Sequence, residues 1–329
     1  MILSVIALVG GLALILFGAN FLTDGASDVA RRMGVSDLIV GLTVVAFGTS
    51  APELAISVIS AVNGSAEIAV GNVVGSNIFN ALMIMGVTAL IKPISVTRSI
   101  LTNDIPLVLL ASVVLLVMGN GVLLDSAETP MISRVDGLIL LCFFIVFMRY
   151  TFAQAKSTPE PVAAQDPSAV QAASIQAMPL WRAAVYVFGG LVALVYGGDL
   201  FVDGASAIAK SFNVSEAVIG LTIVAAGTSL PELAASVVAA LKGRTDMAIG
   251  NVIGSNIFNI FMVLGASATI TPLKLGGIGN FDLLVLVASS VLFWIVGWFF
   301  AKRTITRGEG AILALAYVAY TMVLVINAV

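Results

Sequence analysis

The chain has 329 residues, of which 60% are apolar and 10% are charged, and its formal net charge is −3. A soluble domain has roughly 45–50% apolar and about 25% charged residues, and a single globular core cannot enclose this much apolar surface. The composition therefore excludes a soluble enzyme, a nucleic-acid-binding protein and a disordered chain, and it places the excess apolar surface in lipid.

Apolar runs between polar breaks predict ten membrane-spanning helices, because about 20 apolar residues cross a bilayer. No positively charged residue precedes the first apolar run, which predicts a retained helix and not a cleaved signal peptide. In chain order, the predicted spans are 2–23, 36–62, 68–91, 104–121, 132–150, 181–202, 215–241, 247–270, 281–301 and 309–328.

Residues 151–180 interrupt this pattern. They are rich in Ala, Gln, Pro and Ser and have no apolar periodicity, which predicts a flexible linker. The linker would separate two five-helix halves, 1–150 and 181–329.

The distribution of Lys and Arg predicts the orientation. Twelve basic residues lie on the linker's side of the predicted spans, and three (Arg134, Lys210 and Lys274) lie on the other side. Cytoplasmic loops carry the excess of basic residues, so the linker is predicted to be cytoplasmic. Ten spans then place both termini outside a plasma (inner) membrane.

The two halves contain an internal repeat. Residues 41–86 and 220–265 align without a gap at an offset of 179, and 28 of the 46 positions are identical. The match extends upstream to two DGAS segments, 24–27 and 203–206, which we predict to be turns or helix caps. Five predicted spans separate the copies, so the second copy enters the membrane from the opposite side. The predicted fold is an all-α membrane protein with ten transmembrane helices in two inverted-topology five-helix repeats, an arrangement typical of alternating-access transporters.

One acidic residue lies deep in each repeat, Glu53 and Glu232. A charge near the middle of a membrane span is costly unless it is functional or paired. A buried, protonated Glu that serves packing is the alternative. Hydroxyl residues precede both carboxylates within one helical turn: Thr49, Ser50, Thr228 and Ser229.

A proline next to each Glu predicts an opened helix. Pro52 and Pro231 lack an N–H and clash with the carbonyl four residues earlier, which should expose main-chain carbonyls including those of Ala46 and Ala225. The following helix of each repeat adds polar residues at i, i+4 spacing: Ser76, Asn80, Ser255 and Asn259. These four could instead serve interhelical hydrogen bonding. All of these groups are hard oxygen donors, which suit Ca²⁺ or Na⁺.

The motifs GTSAPE and GSNIFN in the first half, and GTSLPE and GSNIFN in the second, resemble the two α-repeats of the cation/calcium exchanger superfamily. The resemblance is greatest to its prokaryotic sodium/calcium antiporter branch and covers nearly the whole chain outside the linker. It implies exchange of extracellular Na⁺ for Ca²⁺ by a gating bundle that slides against a rigid core.

The resemblance also implies roles for individual residues. Glu53 and Glu232 would be the Ca²⁺ carboxylates, beside the carbonyls of Thr49 and Thr228, and Asn80 would complete the middle of the site. The flanking Na⁺ sites would be lined by Ala46, Ser50, Ser76, Ala225, Ser229 and Ser255. Many relatives, including potassium-dependent ones, have Asp at the position of Asn259, which leaves the middle site and potassium dependence open.

Other functions remain as alternatives. A Ca²⁺/H⁺ or other cation exchanger could use the same carboxylates, although proton carriage alone does not need the hydroxyls. A membrane enzyme is disfavoured because the sequence has no histidine and no close acid pair within one span, and a channel has no special need for an inverted repeat. The sequence therefore predicts a non-enzyme with no cofactor and no nucleic-acid ligand, whose partners are Ca²⁺, Na⁺ and the bilayer, with no obligatory protein partner.

Overall fold

A computed structural model describes residues 2–125, 129–157, 178–212, 225–299 and 303–328. These residues are almost entirely helical. In chain order the α-helices are α1 (Ile2–Met33), α2 (Asp37–Val40), α3 (Ala46–Thr49), α4 (Ala51–Val62), α5 (Ala66–Ile78), α6 (Met85–Ile91), α7 (Ile105–Gly119), α8 (Gly121–Asp125), α9 (Arg134–Ser157), α10 (Leu180–Ser211), α11 (Ala225–Gly227), α12 (Leu230–Leu241), α13 (Thr245–Ile257), α14 (Gly265–Ile270), α15 (Asn280–Phe299) and α16 (Arg307–Ala328).

Short segments of other structure join these helices. π-Helical segments continue the helical path at Gly41–Val45, Phe79–Ile84, Ile100–Asp104 and Phe258–Leu264. Four two-residue strands, which the sequence did not predict, are β1 (Ile94–Ser95), β2 (Met131–Ile132), β3 (Leu273–Lys274) and β4 (Thr304–Ile305).

Within the described ranges, eight helical stretches are long and apolar enough to cross a membrane, and a bent pair, Asp37–Thr49 with Ala51–Val62, makes a ninth. These correspond to nine of the ten predicted spans. The remaining predicted span, 215–241, begins outside the described residues, and its described part is α11 and α12.

Helices α1 and α10 are longer than predicted, at 32 residues each. The prediction that the DGAS segments 24–27 and 203–206 are turns or caps is wrong, because both lie inside these continuous helices. The Ser27 hydroxyl, in the first of these segments, donates to the carbonyl of Thr23 at 2.7 Å and so stays compatible with the helix. Gly25 also lies inside the continuous helix α1, where its lack of a side chain allows a close contact with another helix.

That contact is a glycine-lined interface between α1 and α10. Each of six glycines, spaced by seven residues on each helix, lies so close to the other helix that an added Cβ would be 2.5–2.9 Å from a backbone atom of that helix. They are Gly11, Gly18 and Gly25 on α1 and Gly190, Gly197 and Gly204 on α10. Small residues allow this approach of two backbones inside a membrane.

The helices that carry the GSNIFN motifs form the centre of the protein. Of the most apolar 18 residues of each span, 94% are buried in Thr245–Ile270 and 72% in Ala66–Ile91, whereas 22% are buried in Ile2–Met33. The outer helices instead expose large apolar side chains such as Leu3 and Trp181, as expected of lipid-facing surfaces.

Contacts between the two halves have the arrangement that an approximate two-fold axis would give. Residues can contact their own repeat equivalents only near such an axis, and Asn77 Nδ2 donates to the carbonyl of Asn256, 179 positions away, at 3.1 Å. The pairing of the strands is consistent with such an axis, because β1 of the first half pairs with β4 of the second and β2 of the first half pairs with β3 of the second, both antiparallel. Each half therefore contributes one strand to each two-stranded sheet.

The predicted linker is shorter than its sequence suggested. Helix α9 continues to Ser157, seven residues into the range 151–180, so the prediction that the linker begins at 151 is wrong. At the other end, the Met178 N–H donates to Asp28 Oδ2 at 3.3 Å, and α10 starts at Leu180. Residues 158–177 lie outside the described ranges.

Candidate functional site

The second span is broken where the sequence predicted it. Ser50 has φ −87° and ψ 7°, outside helical values, and the axes on either side differ by 45°. Pro52 lies in the first turn of the new helix, where a missing N–H is tolerated. The second repeat has the same break, with φ −93° and ψ 8° at Ser229.

The break leaves fewer free carbonyls than predicted. The Ala46 carbonyl accepts the Ser50 N–H at 3.0 Å, so the prediction that this carbonyl is freed is wrong. The Ser50 carbonyl accepts the Leu54 N–H at 3.2 Å. None of the described backbone hydrogen bonds across the break uses the carbonyl of Thr49, so a buried main-chain acceptor without a described backbone donor lies immediately before the kink.

Both glutamates are completely buried, and each is held by a serine of the other repeat. Ser50 Oγ donates to Glu232 Oε1 at 2.9 Å, and Ser229 Oγ donates to Glu53 Oε1 at 3.3 Å. The second oxygen of each carboxylate has no hydrogen-bond partner in the part of the chain that the structure describes. The two broken helices therefore bring both carboxylates into one site, each with an acceptor oxygen left over.

The threonines of the two repeats differ in their contacts. Thr49 is fully buried, and its hydroxyl lies 3.3 Å from Asn251 Oδ1, across the repeats, and 3.5 Å from the Ala46 carbonyl in its own span; the shorter contact is the one to Asn251. The equivalent Thr228 hydroxyl is buried and makes no hydrogen bond to a described residue. The site is therefore symmetric in its carboxylates and serines but not in its threonines.

The polar residues of the GSNIFN helices complete the arrangement. Both predicted asparagines lie in π-helical segments, where widened turns re-aim side chains. Asn259 Nδ2 donates to Asn77 Oδ1 at 3.1 Å, so part of its side chain is engaged in helix packing. Within the described ranges, neither the amide nitrogen nor the amide oxygen of Asn80 makes a hydrogen bond, and the hydroxyls of Ser76 and Ser255 also lack partners.

This concentration of buried polar atoms without partners indicates a ligand site. Such atoms are rare in proteins because each costs free energy unless a partner is present. Within the described ranges, no salt bridge reaches either glutamate, and no cluster of three or more His, Cys, Asp or Glu is found. Two carboxylates among hydroxyl, amide and carbonyl oxygens are suited to hard cations, and one divalent ion would balance their charge.

Ten of the twelve predicted site residues are buried or nearly so: Ala46, Thr49, Ser50, Glu53, Ser76, Asn80, Ser229, Glu232, Ser255 and Asn259. Thr228 is half-buried. Ala225 begins the short helix α11.

Sequence reasoning missed two asparagines that support the glutamates. Asn72 Nδ2 donates to the Glu53 carbonyl at 3.4 Å and to Ser57 Oγ at 3.0 Å. Its repeat equivalent, Asn251, donates to the Glu232 carbonyl at 3.3 Å and, at 3.0 Å, to the hydroxyl of the residue equivalent to Ser57. Both asparagines are identical between the aligned repeats and lie in apolar helices, which was the available signal.

The chain is similar to known membrane exchangers over nearly its full length. The family model described as sodium/calcium exchanger protein matches residues 3–153 and 182–326. CaxA of Alkalimonas amylolytica is 39% identical over 98% of this chain and 99% of its own, and the sodium/calcium exchanger MaX1 of Methanosarcina acetivorans is 31% identical over 95% and 96%. A solved structure of the sodium-calcium exchanger NCX_Mj, soaked with Na⁺ and Sr²⁺, superposes with a TM-score of 0.80 at 32% identity, over 97% of both chains.

Proposed function

The chain belongs to the sodium/calcium exchanger protein family, and we propose that it exchanges Na⁺ for Ca²⁺ across the membrane by alternating access. The observation that carries the proposal is the pair of fully buried carboxylates, one from each repeat, each with one oxygen lacking a partner. Two negative charges in a site of low dielectric favour a divalent cation or two monovalent cations. Ca²⁺ and Na⁺ can therefore compete for the same charge, which is the basis of exchange.

In this proposal Ca²⁺ binds Glu53 and Glu232 together with the carbonyls of Thr49 and Thr228. The absence of a backbone partner for the Thr49 carbonyl supports that role. Asn80 and Asn259 lie at the middle of the site. The flanking Na⁺ sites are lined by Ala46, Ser50, Ser76, Ala225, Ser229 and Ser255. The Ala46 carbonyl accepts the Ser50 N–H and lies 3.5 Å from the Thr49 hydroxyl, so a cation bound there would take the place of that hydroxyl.

We further propose ten transmembrane helices in two inverted repeats, 1–150 and 181–329, in the plasma membrane. The approximate two-fold relation of the halves supports this, as does the close packing of α1 on α10, which would form the gating bundle. The excess of basic residues on the linker's side supports a cytoplasmic linker and both termini outside. The family and the helices establish an integral, multi-pass membrane protein.

Uptake of ⁴⁵Ca²⁺ into proteoliposomes tests the proposal. Vesicles loaded in turn with Na⁺, K⁺ or acidic buffer, and diluted into choline medium, would reveal which outward gradient drives accumulation. We expect uptake only from Na⁺-loaded vesicles. Uptake driven by acidic vesicles alone would identify a Ca²⁺/H⁺ exchanger instead.

We predict that Ca²⁺ exchange does not require K⁺. Asn259 is neutral, so Glu53 and Glu232 supply the only two formal charges among the proposed ligands, and one Ca²⁺ cancels them. Replacing K⁺ by choline should leave Na⁺-driven Ca²⁺ flux unchanged. Asn259→Asp would add a third carboxylate, so this variant should acquire a dependence of flux on pH or on a monovalent cation. Collapse of wild-type flux in choline would show that the charge argument is wrong.

Shortening the linker should preserve transport. Residues 158–177 have no apolar face to bury, whereas Met178 is hydrogen-bonded to α1 and should be kept. A chain with 158–177 replaced by a Gly/Ser tether should show Na⁺-driven flux within about twofold of wild type. Loss of flux from a variant that elutes as a normal, monodisperse protein would assign the segment a regulatory role.

A further inference from the structure

The two repeats break their symmetry at one hydrogen bond beside the ion site. Asn72 and Asn251 make the same pair of amide hydrogen bonds within their own repeats. Of the two, Asn251 also accepts a hydrogen bond from the opposite repeat, from the Thr49 hydroxyl at 3.3 Å. The equivalent donor, the Thr228 hydroxyl, is buried and has no partner among the described residues.

Burial along α5 and α13 follows the same division. Asn251 is 1% exposed, whereas Asn72 is half-buried. Four residues before each asparagine, Met247 is 1% exposed and its repeat equivalent Ile68 is 52% exposed. Among the described residues, the side of the site next to Asn251 is therefore closed, and the side next to Asn72 is less covered.

Two related repeats that enclose one site can interchange these two conformations. In an inverted-repeat transporter, alternating access moves one repeat or bundle against the other around a fixed site, and in the opposite-facing state each repeat would take the arrangement that the other has here. The hydrogen bond between Thr228 and Asn72, absent here, would then form, and the one between Thr49 and Asn251 would break. A buried hydroxyl without a partner costs free energy in the state that leaves it unpaired, and the opposite state would remove that cost for Thr228 by supplying a partner.

We propose that Asn72 and Asn251 are a pair of positioning residues whose hydrogen bonds to Thr228 and Thr49 alternate during transport. Thr49 bonded to Asn251 closes one side of the site, and Thr228 bonded to Asn72 closes the other. The amide of each asparagine meanwhile holds the main-chain carbonyl of its own glutamate, so the closure is tied to the geometry of the carboxylate. The proposal rests on the alternating-access function proposed above.

Threonine-to-valine substitutions provide a matched pair of tests. Each removes one hydroxyl while keeping side-chain shape and the main-chain carbonyl. Thr49→Val removes a hydrogen bond that exists in this conformation and should shift the population away from it. Thr228→Val removes a hydrogen bond only from the opposite conformation and should shift the population toward this one.

Cysteine labelling of purified protein in detergent reports these populations. In a Cys142→Ala background, which removes the only cysteine, Met247→Cys or Ile68→Cys would be reacted with a water-soluble maleimide. Thr49→Val should raise the labelling rate at Met247→Cys by about two- to tenfold, the range expected for one hydrogen bond, and should lower it at Ile68→Cys. Thr228→Val should change both rates in the opposite directions.

A double variant separates this role from a general structural one. Adding Thr49→Val to Asn251→Ala should produce no further increase in Met247→Cys labelling, because the shared hydrogen bond is already lost. Additive increases, or shifts of the same sign from Thr49→Val and Thr228→Val, would overturn the proposal. Thermal unfolding of every variant is measured first, and labelling is compared between variants of matched Tm.

The assay does not depend on which ion is carried. Opposite labelling shifts in a protein without Na⁺-driven Ca²⁺ flux would refute the proposed ions and keep the alternating hydrogen bonds. Normal Na⁺-driven flux with unchanged labelling in both threonine variants would refute the alternating hydrogen bonds and keep the exchanger.

Discussion

Glu53→Gln and Glu232→Gln should each abolish Ca²⁺ transport while the protein still folds. Each change removes one of the two negative charges in a buried site, and an amide cannot supply the missing charge. Removing one partner of a buried charged contact typically costs about 3–5 kcal/mol. We therefore expect Ca²⁺ affinity to fall by about 10²-fold or more.

Although the two variants should lose Ca²⁺ transport, their stability should not fall. A carboxylate without a counter-ion is costly at this depth, so without cations each variant should unfold at the same Tm as wild type or at a higher one. Wild type should gain Tm when Ca²⁺ is added, because ligand binding stabilises the folded state, and both variants should lose this gain. Glu67→Gln, the same change at an exposed carboxylate in the first turn of α5, is the control and should retain flux and the Ca²⁺-dependent gain. A Ca²⁺-induced Tm gain in Glu53→Gln equal to wild type would remove Glu53 from the site.

Gly190→Leu should destabilise the protein strongly. A Cβ at Gly190 would lie 2.6 Å from the Leu22 nitrogen and 2.8 Å from the Gly18 carbonyl oxygen on α1. Backbone atoms cannot rotate away as a side chain can, so α1 and α10 would have to separate. Overpacking of this kind costs about 3 kcal/mol, and transport should be lost because the two helices no longer pack as one unit.

The adjacent glycine is a matched control for this prediction. Gly189 is exposed, and no described residue lies within 4 Å of a Cβ built there. Gly189→Leu adds the same side chain to the same helix and should leave Tm in detergent and Na⁺-driven flux close to wild type. Equal loss of Tm in both variants would mean that helix propensity or detergent contact, and not the α1–α10 interface, controls the effect.

Much of this fold could be predicted from the sequence because its signals are local. The lengths of the apolar runs predicted the positions of the nine described spans. Pro52 predicted the helix break, because its missing N–H removes a hydrogen bond to a residue only one turn away. The ends of α1 and α10 could not be predicted. Polar segments such as 24–27 usually end a helix, and the local sequence does not show that this one packs closely against a distant glycine face.

The site was predictable in its composition but not in its connections. The cost of a buried charge identified Glu53 and Glu232 directly. The sequence could not reveal that the serine beside each glutamate donates to the other glutamate, because those contacts join residues 176 and 182 positions apart. The supporting Asn72 and Asn251 were overlooked for a related reason: an amide in a helix has many structural uses, and only its partner shows which one applies.

Anomalous diffraction from crystals soaked in Sr²⁺ tests the central claim most directly, because Sr²⁺ is a heavier substitute for Ca²⁺. Data would be collected at low Na⁺ and at high Na⁺. The account predicts one anomalous peak in contact with the carboxylates of both Glu53 and Glu232, weakening as Na⁺ rises because both ions use the same charge. A peak bound by only one of these glutamates, or one that persists unchanged at high Na⁺, would contradict a shared site at the centre of an exchanger.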